Sequence, residues 1–156
     1  MASSASSVMV IAYDGSRNAR RAVQYAGHFF AGRRAVVLTV WTPLERGPEP
    51  VQVDLDGPPD PPEPDEDIKL ASARRVNNEG VELARTAGLA AEPLCMPESG
   101  TVWNTIIETA DELDADLIVT GTRGTTGLRS LLQSSVADNV LRRGRRPVLI
   151  VPPGPR

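Results

Sequence analysis

Short uninterrupted apolar runs alternate along the chain with stretches whose apolar positions recur every three or four residues, the pattern of strands followed by helices. The first run, Val8 to Tyr13, ends at the turn and cap signal Asp14-Gly15-Ser16; Ala19, Ala22, Val23, Ala26, Phe29 and Phe30 then mark one face of a helix. Gly32 stops that helix, and the β-branched run Ala35 to Trp41 predicts a second strand ending at Thr42-Pro43. Leu70, Ala73, Val76, Val81, Leu83 and Ala84 predict a helix from about Ile68 to Ala87, closed by Gly88 and mildly penalised by Gly80 in its interior. Ala91 to Met96 reads as a third strand, and Pro93, which lacks a ladder donor, assigns it to a sheet edge. Val102, Ile106, Ile107, Ala110 and Leu113 line a third helix, and Leu117 to Thr120 forms a fourth strand running into Gly121. After a glycine-rich loop, Ser134 or Ser135 caps a last helix carrying Val136, Val140 and Leu141, and Pro147 to Val151 supplies the final strand.

The sum is a repeated strand-helix unit ending in a strand, and right-handed crossovers between such units give a parallel sheet. The expected fold is α/β, a three-layer doubly wound five-stranded parallel sheet of order 3-2-1-4-5 with helices on both faces. Strand order reverses once in such a sheet, and the loops diverging there leave a crevice where ligands bind. That crevice falls between strands one and four, which brings Asp14 beside Gly121 to Ser135. One domain over residues 8–152 is expected, with loose tails at 1–7 and 153–156.

Composition narrows the function. At 156 residues and 40% hydrophobic content the chain suits one buried core, and 4% aromatic residues argue against stacking platforms for single-stranded nucleic acid. The single cysteine, Cys95, cannot form an internal disulfide, and the single histidine, His28, has no metal-ligand cluster around it; it is expected as a packed or surface residue. The apolar runs are far shorter than the roughly 20 residues of a membrane span, and the Ser/Ala-rich start lacks the features of a signal peptide, so a cytoplasmic protein is expected. Net charge is -3, yet residues 43–67 alone hold nine acidic residues, one basic residue and eight of the fourteen prolines. That segment therefore carries -8 against +5 elsewhere, and reads as a long acidic, solvated loop.

The loop Gly121-Thr122-Arg123-Gly124-Thr125-Thr126-Gly127 lies between a strand and a helix, where glycines let backbone N–H groups curl around an anion at the positive end of a helix dipole. Phosphate is the natural guest. Thr122, Thr125, Thr126, Ser134 and Ser135 add hydroxyl donors, and Arg123 offers a planar fork for phosphate oxygens. A structural turn is the competing role for this loop, as it is for Asp14-Gly15. No G-x-S-x-G elbow, G-x-x-x-x-G-K-[ST] loop or G-x-G-x-x-G fingerprint occurs, so hydrolase, P-loop and dinucleotide functions lack their residues. Arg142, Arg143, Arg145 and Arg146 are assigned to the negative end of the last helix rather than to nucleic acid.

These motifs resemble the universal stress protein family over nearly the whole chain. The resemblance rests on Ile11-Ala12-Tyr13-Asp14-Gly15-Ser16, on Asp116-Leu117-Ile118-Val119-Thr120-Gly121, and on Gly121-x-x-Gly124 followed by nine residues and Ser134-Ser135-Val136. The closing Pro147-Val148-Leu149-Ile150-Val151 fits as well. It implies the nucleotide-binding branch, with ATP, with or without Mg2+, as cofactor. By position, Asp14 would contact the nucleoside and the backbone near Val40 the adenine, while Gly121, Gly124, Ser134 and Ser135 would surround the phosphates and Val136 would follow them. The family pattern has glycine where this chain has Ser134. A positive φ there would cost serine about 1 kcal/mol, whereas a close approach to phosphate would make the added Cβ the obstacle, with the hydroxyl compensating in part; weakened but retained binding is expected.

No residue of the phosphate loop is an evident general base, so a binding module in stress response or signalling is expected, with slow ATP hydrolysis at most and no catalytic or metal-ligating residue assigned. The alternative is a dimeric scaffold whose pocket is empty or holds another small anion. The apolar last strand, Val148 to Val151, falls at a sheet edge that a second copy would cover, and the resemblance implies the same homodimer. The acidic loop leaves strand two on the rim that carries the phosphate site, so its charge should repel ATP. Deleting Gly47 to Asp65 should tighten ATP binding, most at low salt; an affinity unchanged by the deletion across ionic strengths would make the loop an inert insertion.

Overall fold

A computed structural model describes residues 7–43, 65–122 and 136–154. Its elements are β1 (Val8–Ala12), α1 (Arg17–Phe30), β2 (Arg34–Trp41), α2 (Asp65–Thr86), β3 (Ala90–Pro97), α3 (Val102–Glu112), β4 (Leu117–Gly121), α4 (Val136–Arg143) and β5 (Val148–Val151). The strands form one parallel sheet in the order β3-β2-β1-β4-β5, as the pattern predicted.

The central strand explains why the apolar runs are unbroken. Met9 and Ile11 pack on one face with Ala22, Val23 and Ala26 of α1 and Val81 and Ala84 of α2. Val8 and Val10 pack on the other face with Ile106 and Ala110 of α3 and Val140 of α4. A strand covered on both sides has no polar face to alternate with. Pro93 sits on the edge strand β3, as expected. Leu94 and Glu92, its neighbours, share the phase that bonds to β2, which leaves the proline nitrogen on the open side where no ladder hydrogen is needed.

The helix ends follow local chemistry. Ser16 caps α1, its Oγ accepting the Ala19 N–H at 3.1 Å, and Gly32 leaves the helix with φ +84°. Thr101 caps α3 in the same way, accepting the Asn104 N–H at 3.1 Å. One boundary differs from expectation: α2 begins at Asp65, so the last three acidic residues assigned to the 43–67 loop belong to a helix. Residues 44–64 of that loop, and the expected caps Ser134 and Ser135, lie outside the described residues.

Two helical glycines have a packing cause. A Cβ at Gly27 would lie 2.3 Å from Ala87 Cβ and 2.7 Å from its carbonyl oxygen, at the contact between α1 and the end of α2. A Cβ at Gly80 would lie 2.6 Å from the Tyr13 ring. Helix propensity favours alanine over glycine by about 1 kcal/mol, but overpacking against backbone or a buried ring costs about 1–3 kcal/mol, so the clash should win. Gly27→Ala and Gly80→Ala should each lower the urea midpoint; a rise in either would show that the contact yields.

Candidate functional site

The carboxyl ends of β1, β2 and β4 open onto a cavity of about 220 Å³ at the point where strand order reverses. Asp14 and Ser16 line it from the turn after β1, Val40 from the end of β2, and Gly121 and Thr122 from the end of β4. Val102 and Ile106 of α3 and Val136 of α4 close its apolar side. The structure thus brings together Asp14, Val40, Gly121, Thr122 and Val136. Arg123, Gly124, Ser134 and Ser135 lie outside the described residues.

Asp14 is exposed, and its Oδ1 accepts the Ser16 N–H at 2.9 Å. Gly15 between them has φ +81°, and a Cβ there would meet Val76 Cγ1 at 3.2 Å. The turn role considered from sequence is therefore real, and the same turn delivers the carboxylate to the cavity wall. Val40 reaches the site through strand phase. The Tyr13 N–H donates to the Leu38 carbonyl at 2.9 Å, so Val40, two residues on, turns its N–H and C=O to the same side, beyond the end of β1.

Gly121 has a steric cause of its own. A Cβ there would lie 2.6 Å from the Asn18 carbonyl oxygen in the first turn of α1, so the glycine lets β4 and α1 approach. Asn18 Nδ2 donates to the Thr122 carbonyl at 2.5 Å, and the Thr122 N–H donates to Val151 O at 3.1 Å, which fixes the start of the loop after β4 from two sides. Thr122 Oγ1 is buried with no hydrogen-bond partner among the described residues, leaving a hydroxyl at the cavity edge to serve as donor or acceptor.

Sequence reasoning did not single out Asn18 or Tyr13. Asn18 is the second residue of α1, two past the Ser16 cap, and nothing local distinguishes it from a solvent-facing polar residue. Tyr13 is 2% exposed, and its hydroxyl donates to Glu79 Oε1 at 2.9 Å while Arg20 pairs with the same carboxylate at 2.6 Å. Burial, together with the Glu79 carboxylate, pushes the Tyr13 phenol above its ordinary value, against a smaller opposing pull from Arg20.

A family model for the universal stress protein family matches residues 7–152. The chain belongs to that family. A universal stress protein of Methanocaldococcus jannaschii is 48% identical over 52 residues, a match spanning 33% of this chain and 31% of that relative. A solved universal stress protein in complex with cAMP is 26% identical, with a TM-score of 0.66, over 93% of this chain and 95% of its own. The Archaeoglobus fulgidus universal stress protein in complex with dAMP shares the fold at 20% identity and a TM-score of 0.62, over 93% and 96% of the two chains. Among the described residues, no helix is long and apolar enough to cross a membrane.

The native state holds Tyr13 protonated to a higher pH than the unfolded chain does. Its contribution to stability is therefore complete below the unfolded value of about pH 10 and is lost as pH rises toward and through the raised native value. Tyr13→Phe should flatten the fall in urea midpoint above about pH 10; the same fall in both proteins would assign it to other groups.

Proposed function

We propose that this universal stress protein domain is an adenine-nucleotide-binding module that takes ATP, with or without Mg2+, and acts in stress response or signalling through its nucleotide state. The observation that carries the reading is the convergence of Asp14, Val40, Thr122 and Val136, from four separate elements, on one cavity at the topological switch point. The cAMP complex of a relative supports an adenine nucleotide as the occupant.

In this reading the Asp14 carboxylate accepts hydrogen bonds from ribose hydroxyls, since a carboxylate oxygen suits a neutral diol and repels phosphate. The Val40 backbone, with one donor and one acceptor, meets the adenine edge, and Val102, Ile106 and Val136 cover its apolar face. The Thr122 hydroxyl and the segment Arg123, Gly124, Ser134 and Ser135 take the phosphates. Asp14 is the one carboxylate among the described lining residues, and one of its oxygens is held by the turn, an arrangement suited to recognition more than to hydrolysis. We further assign the protein to the cytoplasm and to a homodimer paired through Val148 to Val151, which form the edge strand β5.

Calorimetric titration with Mg-ATP tests the assignment. Wild type should bind, Asp14→Ala should weaken binding about tenfold, as expected for loss of a charged hydrogen-bond acceptor, and Ser134→Gly should tighten it. No heat of binding from either wild type or Ser134→Gly would end the nucleotide assignment in favour of the dimeric scaffold.

A further inference from the structure

Helix α2 contributes no residue to the cavity lining, yet its inner face holds the turn that carries Asp14. Asn77, 1% exposed, reaches from α2 into the β2–β3 ladder, where its Nδ2 lies 2.8 Å from Val37 O, 3.0 Å from Leu94 O and 3.0 Å from Thr39 Oγ1. Thr39 is 5% exposed, and its hydroxyl donates to the Tyr13 carbonyl at 2.9 Å. The polarity of this chain is set by chemistry. The Tyr13 carbonyl can only accept, so it takes the single hydroxyl hydrogen of Thr39. The Thr39 oxygen must then accept, and with two further carbonyls facing it, Asn77 must present its NH2 group. Asn77 Oδ1 is left buried without a partner among the described residues, a cost that the donors on the other side offset.

The same face of α2 grips the turn at three other points. Gly80 makes room for the Tyr13 ring, Glu79 accepts from its hydroxyl, and Val76 packs over Gly15. We propose that Asn77 and Thr39 are positioning residues: through the Tyr13 carbonyl they lock the Tyr13-to-Ser16 turn in the shape that places the Asp14 carboxylate at the cavity. The consequence for affinity rests on the nucleotide reading above; the lock itself does not. Neither residue lines the cavity, so an effect on affinity is indirect, and exchange of the Ser16 amide reads whether it passes through the turn or through β2, where Leu38 and Val40 do line it.

Two measurements on the full chain test this. The first is hydrogen exchange of the Ser16 amide, which the Asp14 carboxylate protects in the native turn. Thr39→Val, which keeps side-chain shape and removes the hydroxyl, should speed that exchange about tenfold, as should Asn77→Ala; Thr39→Ser, which restores the hydroxyl, should return it toward wild type. Thr109→Val is the matched control. It removes another buried hydroxyl, one that donates to Thr105 O at 2.7 Å in α3, and should leave Ser16 unaffected at comparable loss of stability. The second measurement is Mg-ATP affinity, which should fall about tenfold in Thr39→Val and Asn77→Ala and hold in Thr39→Ser and Thr109→Val. Ser16 exchange unchanged in both Thr39→Val and Asn77→Ala would overturn the lock, as would unaltered affinity in those variants of a wild type that binds. Faster exchange in a protein whose wild type takes no ATP would uphold the lock and reject only the nucleotide reading.

Discussion

Strand β1 pairs with β2 on one side and with β4 on the other, and the rest of the molecule is arranged around that double pairing. A central parallel strand must be covered on both faces, which demands helices above and below and an apolar residue at every position. The chain leaves β1 toward β2 and returns, after β3, to the opposite side as β4. Helix α1, which follows β1, and α4, which follows β4, pack on opposite faces of the sheet, and among the described residues the cavity opens where they part. The cavity follows from the topology, whatever residues line it.

Its lining is then set by short-range economy. Asp14, Gly15 and Ser16 make a turn, a positive-φ reversal and a helix cap in three residues, so the carboxylate reaches the rim on a segment tied at both ends. Gly121 lets the first turn of α1 come against the end of β4, and Asn18 bonds the outgoing loop. Close approach of the α1 backbone explains the glycine at position 121 independently of any anion. Small size at Gly121 therefore counts for the fold, while Asp14, the Val40 backbone and the Thr122 hydroxyl are the polar groups that the proposed function assigns to recognition.

Much of this was legible from residue order. The edge position of the strand holding Pro93 and the Ser16 cap came from local signals, a missing ladder donor and a hydroxyl before an apolar face, while the strand order and the meeting of Asp14 with Gly121 and Thr122 came from the general topology of alternating strands and helices. The start of α2 at Asp65 was misplaced because charge and proline density pull toward a loop. Four proposed phosphate-site residues fall in the segment 123–135, outside the described residues.

Sequence alone determined the layers, since two-sided burial writes itself into unbroken apolar runs and one-sided burial into helical spacing; the strand order followed only from the topology that such alternating units usually adopt. Tertiary structure decided what the polar and small residues of α2 are for. Asn77 looks like an ordinary helix-surface amide and Gly80 like a weak point, until folding sets one against the carbonyls of β2 and β3 and the other under the ring of Tyr13. Contacts between residues some seventeen to seventy positions apart leave no local pattern, because the partner that gives each residue its role is supplied only when the chain has folded.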